Sequence, residues 1–183
     1  MPRKFFRKYL PDPDEVLAKR WAAPFRPWLG HPNLWHLNRR SVSGAVAIGL
    51  FAGLIPGPLQ MLGALLLAVP LHKNIPVALV TTFYTNPFTI VPLYVIAFGY
   101  GQLLLPGERA SMRAPFETDW SNLGESMRGL MHWALSLGKP LAIGLVALAL
   151  TLALLGYLVV RIAWRVYVVA AWRARARRRR ARA

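Results

Sequence analysis

Two long runs without a single charge, each broken near its middle by proline, limit what this chain can fold into. The runs are Ser41–Leu71 and Ile75–Leu105, 31 residues apiece, and only His72-Lys73-Asn74 separates them. The first is interrupted at Ile55-Pro56-Gly57-Pro58 and the second at Thr85-Asn86-Pro87. About 20 apolar helical residues cross a bilayer core, so each run is long for one span and short for two. Proline inside a helix removes a backbone donor and clashes with the turn before it, which cuts each run into two short helices. The pattern predicts an all-α integral membrane protein with a pair of broken or re-entrant segments. In hydrocarbon, the backbone groups freed at such breaks are tolerated only where protein or a wet cavity surrounds them.

Composition agrees with that class. Of 183 residues, 55% are hydrophobic, and the mean hydropathy is +0.35. Cysteine is absent, which excludes disulfides, zinc thiolates and thiol nucleophiles. The net charge of +16 is uneven: 9 Lys and Arg precede Ser41, 5 lie between Ser41 and Val160, and 9 follow from Arg161. Basic tails beside spans mark the cytoplasmic side. No apolar signal core follows the basic start Met1–Lys8. A bacterial inner-membrane protein with both termini cytoplasmic is therefore expected.

In chain order, residues 1–40 read as a basic, tryptophan-containing arm. Asp12-Pro13-Asp14-Glu15 has the form of a helix start, and Pro24, Pro27 and Pro32 keep the following stretch irregular. Trp21, Trp28 and Trp35 recur every seven residues among Arg20, Arg26, Arg39 and Arg40, which suits either the headgroup layer or a small cytoplasmic cap cored by the indoles. Residues 41–105 hold the paired broken segments. Gly49 and Gly53 share a helix face and let another backbone come close. The second run carries Thr81, Thr82, Tyr84, Thr85, Asn86, Thr89 and Tyr94, whose polarity favours the protein interior. Residues 106–139 form a polar connection with an amphipathic helix from Asn122 to about Leu137, presenting Leu123, Met127, Leu130, Met131 and Ala134 on one face. Trp120 and Trp133 suggest an interfacial position for it. Pro140–Val160 is a clean 21-residue span that continues as helix to Trp172. Residues 173–183 form an Arg/Ala tail.

The segments Pro2–Leu10 (PRKFFRKYL), Asn33–Ser41 (NLWHLNRRS), Pro56–Met61 (PGPLQM) and Asn86–Tyr94 (NPFTIVPLY) together resemble the bacterial family catalogued as domain of unknown function 2062. The resemblance covers about Met1 to Gln102. It implies a small inner-membrane protein, in some members joined to a glycosyltransferase domain, and it brings no assigned activity and no catalytic residues.

No reactive constellation is legible. His31, His36, His72 and His132 are scattered without helical pairing or a carboxylate beside them, which disfavours a zinc site. No acid lies inside the apolar runs, and no phosphate-binding glycine loop is present. No cofactor, no metal and no enzymatic activity are expected. What remains is the pair of breaks. Gly57-Pro58-Leu59-Gln60 and Asn86-Pro87-Phe88-Thr89 align at an offset of 29, each with a cap residue, a proline and a polar side chain three after the cap. Half-helices starting there would aim their positive amino ends into the protein. The expected ligand site is Gly57, Pro58, Gln60, Asn86, Pro87 and Thr89, with Tyr84 and Tyr94 lining its entrance. A purely architectural role for both kinks stands beside it. Arg39, Arg40, Lys73, Arg173, Arg175, Arg177, Arg178, Arg179, Arg180 and Arg182 are expected to meet anionic lipid headgroups. Transport or flipping of an anionic lipid-linked molecule ranks first, a scaffold holding lipid or cytoplasmic partners through the tails ranks second, and a nucleic-acid tether falls below both. A homo-oligomer is compatible with all three.

Overall fold

The structure, a computed structural model, describes residues 26–106 and 123–180. Within them the chain forms helices and no strand: α1 (Arg26–Leu29), a 3₁₀ turn (Pro32–Leu34), α2 (Arg39–Ala52), α3 (Leu59–Ala68), α4 (Ile75–Thr82), α5 (Ile90–Leu104), α6 (Leu123–Ser136) and α7 (Gly138–Arg180). The expected helix start at Asp12, the indoles Trp21 and Trp120, and Arg182 lie outside the described residues.

Helix starts follow local capping chemistry. Asn38 precedes α2, and its side-chain oxygen accepts from the Ser41 amide at 2.8 Å. Asn74 does the same for α4, accepting from the Val77 amide at 3.0 Å, with Pro76 in the first turn where no donor is needed. Between α3 and α4 the chain reverses at His72, which adopts φ +51°. The Lys73 amide then reaches back to the Ala68 carbonyl and the His72 amide to that of Val69, a helix ending that normally takes glycine at the left-handed position. Gly138, at φ +62°, turns α6 into α7 in the same conformation without side-chain strain.

Glycine contacts fix how the helices run. A Cβ added to Gly144 would stand 1.7 Å from the Ala97 carbonyl, and one on Gly101 would stand 1.7 Å from that of Pro140. So α5 and the first part of α7 are antiparallel and nearly in backbone contact. Farther along α7, Gly156 faces Leu50 and Val46 of α2. Helices α2 and α5 therefore lie end to end along α7, α2 beside its later half and α5 beside its start. Helix α4 runs parallel to α2, with Lys73 against Gly44, Ala78 and Thr81 against Gly49, and Tyr84 against Gly53. Helix α3 returns antiparallel beside them, its Gly63 facing Ala52 and Ile55. The end where α2 begins is called the near end below, and the end where α5 stops the far end.

Several expectations change in detail. The half-helices begin at Leu59 and Ile90, the second after a turn through Pro87–Thr89. Helix α7 continues to Arg180, 43 residues or about 65 Å. The extension past Trp172 follows from Ala and Arg being strong helix formers with no glycine or proline to stop them. The stretch kept irregular by prolines contains α1 and the 3₁₀ turn, because Pro32 suits a first helical position. The two indoles described there part company: Trp28 is exposed, while Trp35 is half-buried and donates to the Leu29 carbonyl. On α6 the buried stripe is Ser126, Leu130 and Trp133, continued by Leu137 in the turn that follows, whereas Met127 and Met131 are exposed. Trp133 is buried because its ring stacks on Tyr94 with centroids 6.5 Å apart, which rotates the helix away from the expected face.

The α5–α7 contact predicts a sharp asymmetry between glycines. Gly144→Val should lower the thermal midpoint in detergent, at a cost of about 1–3 kcal/mol or more from forced separation of two backbones. Gly99→Ala meets nothing within 4 Å and should be neutral or stabilise by up to about 1 kcal/mol. Intrinsic tryptophan fluorescence during heating checks both. Equal effects would mean that α5 and α7 are not in contact.

Candidate functional site

The two proline breaks meet. They occupy the junction where α2 ends and α5 begins, beside the middle of α7, and the contact is made of hydrogen bonds. An α-helix ends with carbonyls that have no partner of its own. Here three hydroxyls of the second run supply partners for the end of the first. Tyr84 donates to the Leu50 carbonyl at 2.8 Å, Thr85 to that of Gly53 at 2.6 Å, and Tyr94 to that of Leu54 at 2.9 Å. Tyr94 and Thr85 are almost wholly buried.

Thr85 sits at the centre of this joint. Its oxygen also lies 2.6 Å from the Gln60 side-chain oxygen and 3.0 Å from the Thr82 carbonyl. A hydroxyl has one proton to give and two lone pairs to accept with. With three acceptors around it, only one can be served. Turning the Gln60 amide over satisfies the group, because its NH2 then donates to Thr85 while Thr85 donates to Gly53. Gln60 thus ties the start of α3 to the second break.

The two half-helix starts differ. At α5 the end is closed from within: the Asn86 side-chain oxygen accepts from the Phe88 and Thr89 amides at 2.9 and 3.1 Å. The Thr89 hydroxyl accepts from the Asn86 amide at 2.9 Å and donates to the Tyr84 carbonyl at 2.7 Å. At α3 there is no side-chain cap. Gly57 holds φ +70° there, a conformation that side chains disfavour, and Pro58 is exposed. Among the expected ligand residues, Gln60 is brought to Thr85, while Asn86, Pro87 and Phe88 lie exposed on their own loop. Tyr84 and Tyr94, expected at an entrance, direct their hydroxyls onto backbone carbonyls. Thr85 was missed as a site residue. Its signal was present, since it is the polar residue directly before the Asn86-Pro87 break.

At the near end the structure brings together cations scattered in the sequence. Arg39 and Arg40 are exposed at the start of α2. The aliphatic stem of Lys73 lies across Gly44, where a Cβ would stand 2.6 Å from it. The rings of His31 and His72 stack with centroids 4.1 Å apart, and the Asn33 amide donates to His31 Nδ1. Arg173 and Arg175 are exposed on α7, which carries Arg177 to Arg180 as helix beyond them. Among the described residues, no group of three or more His, Asp and Glu side chains is placed to hold a metal ion.

Among the described residues these features define an all-helical protein with one helix long and apolar enough to cross a bilayer, by length and composition, and two shorter broken segments locked against it. The chain belongs to the family described as "Uncharacterized protein conserved in bacteria (DUF2062)", whose match spans residues 22–173. That match takes in α6 and most of α7, beyond the Met1–Gln102 stretch on which the resemblance first rested, and leaves the opening PRKFFRKYL segment outside. No curated protein and no solved structure matches the chain.

The joint predicts how Thr85 variants behave. Thr85→Val keeps the shape, removes the hydroxyl and leaves the buried Gly53 carbonyl without its donor, at a cost of about 1–3 kcal/mol. Thr85→Ser should recover most of that loss. Denaturation in detergent measures both, and a Thr85→Val protein as stable as wild type would show that the breaks are not joined through this hydroxyl.

Proposed function

We propose that the protein is a bacterial inner-membrane protein that binds an anionic lipid-linked molecule at the joined breaks and moves it across the bilayer. In this reading α7 crosses through Pro140–Val160, about 31 Å of helix against a core of about 30 Å. Helices α2 and α3 form a re-entrant hairpin from the near end, and α4 and α5 together make one broken crossing. Both termini are then cytoplasmic, which agrees with the positive-inside bias, because Arg39, Arg40, Lys73, Arg161, Arg165 and the Arg tail share one end. Apolar side chains exposed on α3, α5 and α7, such as Leu62, Leu66, Leu103, Leu150 and Leu154, would face lipid.

The observation that carries the functional reading is the uncapped start of α3 beside Gln60, level with the middle of the apolar stretch of α7. The Gln60 and Met61 amides there bond to the Gly57 and Pro58 carbonyls, so what this end offers an anion or its phosphate is the positive charge of the helix amino end at that depth. Broken helices serve transporters in this way. The near-end cations would gather such a molecule from the cytoplasmic leaflet at about 1 kcal/mol for each Lys or Arg near the surface. The basic helical extension past Trp172 favours a second reading, a scaffold that holds anionic lipid or cytoplasmic partners. No catalytic role is proposed.

Two measurements test this. The chain has no native cysteine, so single probes at Ser121 and Ala183 report topology. Ser121→Cys should react from outside intact cells and Ala183→Cys should not; the reverse would end the membrane placement. Proteoliposomes carrying a labelled polyprenyl phosphate or a labelled anionic phospholipid should show protein-dependent exchange between leaflets. Gln60→Ala and Asn86→Ala should slow it at least tenfold while the protein stays folded. Absence of exchange, with binding to anionic vesicles that depends only on residues 173–183, would favour the scaffold.

A further inference from the structure

The outward face of α6 carries charge at a depth where the surface of α7 is apolar. Its inward face fixes that depth. Trp133 stacks on Tyr94, Leu130 joins the cluster containing Leu54 and Ile90, and the end of Met127 lies 3.7 Å from where a Cβ on Gly57 would be. Helix α6 therefore runs beside α5 from the level of the breaks to the turn at Gly138. On its other side Glu125, Arg128 and His132 are exposed. Leu150 of α7 stands at the same level as Arg128, because Gly144 faces Ala97 and Gly156 faces Leu50, which puts Leu150 beside the junction of α2 and α5. Leu150 is 57% exposed and entirely apolar.

In hydrocarbon those two surfaces cannot share a solvent. An arginine at the centre of a spanning helix is costly even on the mildest scale. Snorkelling to the surface could relieve this only near a helix end. Arg128 lies about 15 Å of helix from the turn at Gly138, farther than an extended arginine side chain spans. We infer that the polar face of α6, formed by Glu125, Arg128 and His132, borders a water-filled vestibule, open at the far end and reaching down to the two breaks, in which the Arg128 guanidinium receives the anionic head of the transported molecule. This rests on the membrane placement proposed above.

The test uses the full-length protein in intact cells, its natural lack of cysteine, and a membrane-impermeant maleimide added from outside. Arg128→Cys and His132→Cys should both react at least tenfold faster than Leu150→Cys, and an excess of soluble polyphosphate should slow Arg128→Cys less than it slows His132→Cys in a protein retaining Arg128. If all three positions are equally unreactive while Lys139→Cys at the exposed far-end turn reacts, that face is covered, by a second copy or otherwise, and the vestibule is excluded while the membrane placement stands. If Lys139→Cys is unreactive as well, the placement falls with it. If Leu150→Cys reacts as fast as Arg128→Cys, the far half of the molecule lies in water, and the membrane placement falls with the vestibule. If polyphosphate protects neither position, the vestibule does not receive an anion.

Discussion

Everything in this fold depends on giving partners to backbone groups that two proline breaks set free. A helix interrupted inside a protein leaves carbonyls at one cut end and amides at the other, and each is costly if buried alone. The chain solves this by letting the breaks complete each other. The carbonyl end of α2 is held by Tyr84, Thr85 and Tyr94, all from the second broken segment. The amide end of α5 is held by Asn86 and Thr89 on its own loop. The start of α3 has no side-chain cap, and its Gln60 and Met61 amides turn instead to the Gly57 and Pro58 carbonyls.

Close helix approach makes the joint possible. Gly49 and Gly53 let α4 lie against α2, so that Tyr84 and Thr85 arrive beside the carbonyls they serve. Gly101 and Gly144 do the same for α5 and α7. Small residues at crossings let the backbones approach closely enough for van der Waals packing along their length. Helix α7 then serves as the ruler along which the other elements are set, with α2 and α5 meeting beside its middle and α6 folded back from its start.

Much of this was legible in the sequence, and the limits are physical. Uncharged length and internal proline suffice to reveal the broken helices, because both act locally. The Gly49–Gly53 face was visible for the same reason, as a spacing within one helix. Tyr84 and Tyr94 were recognised as polar residues needing an interior, but not as donors to Leu50 and Leu54, since those pairs lie 34 and 40 residues apart and nothing local links them. The start of α4 at Ile75 agrees with the start of the second run, but the cap that sets it, Asn74 before Ile75-Pro76, is a signal that the division into runs passes over. The burial of Trp133 was hidden because an indole serves equally at a membrane surface and in a core, and only the presence of Tyr94 decides between them.

The central claim is that the two breaks form one cooperative joint, and amide hydrogen exchange in nanodiscs tests it most directly. In the wild-type protein, amides of residues 53–58 and 83–89 should be protected to a similar degree. Removing the Thr85 hydroxyl should then speed exchange in both segments together and leave the middle of α7 unchanged. Faster exchange confined to residues 83–89, with residues 53–58 as protected as before, would contradict the claim and leave two independent kinks.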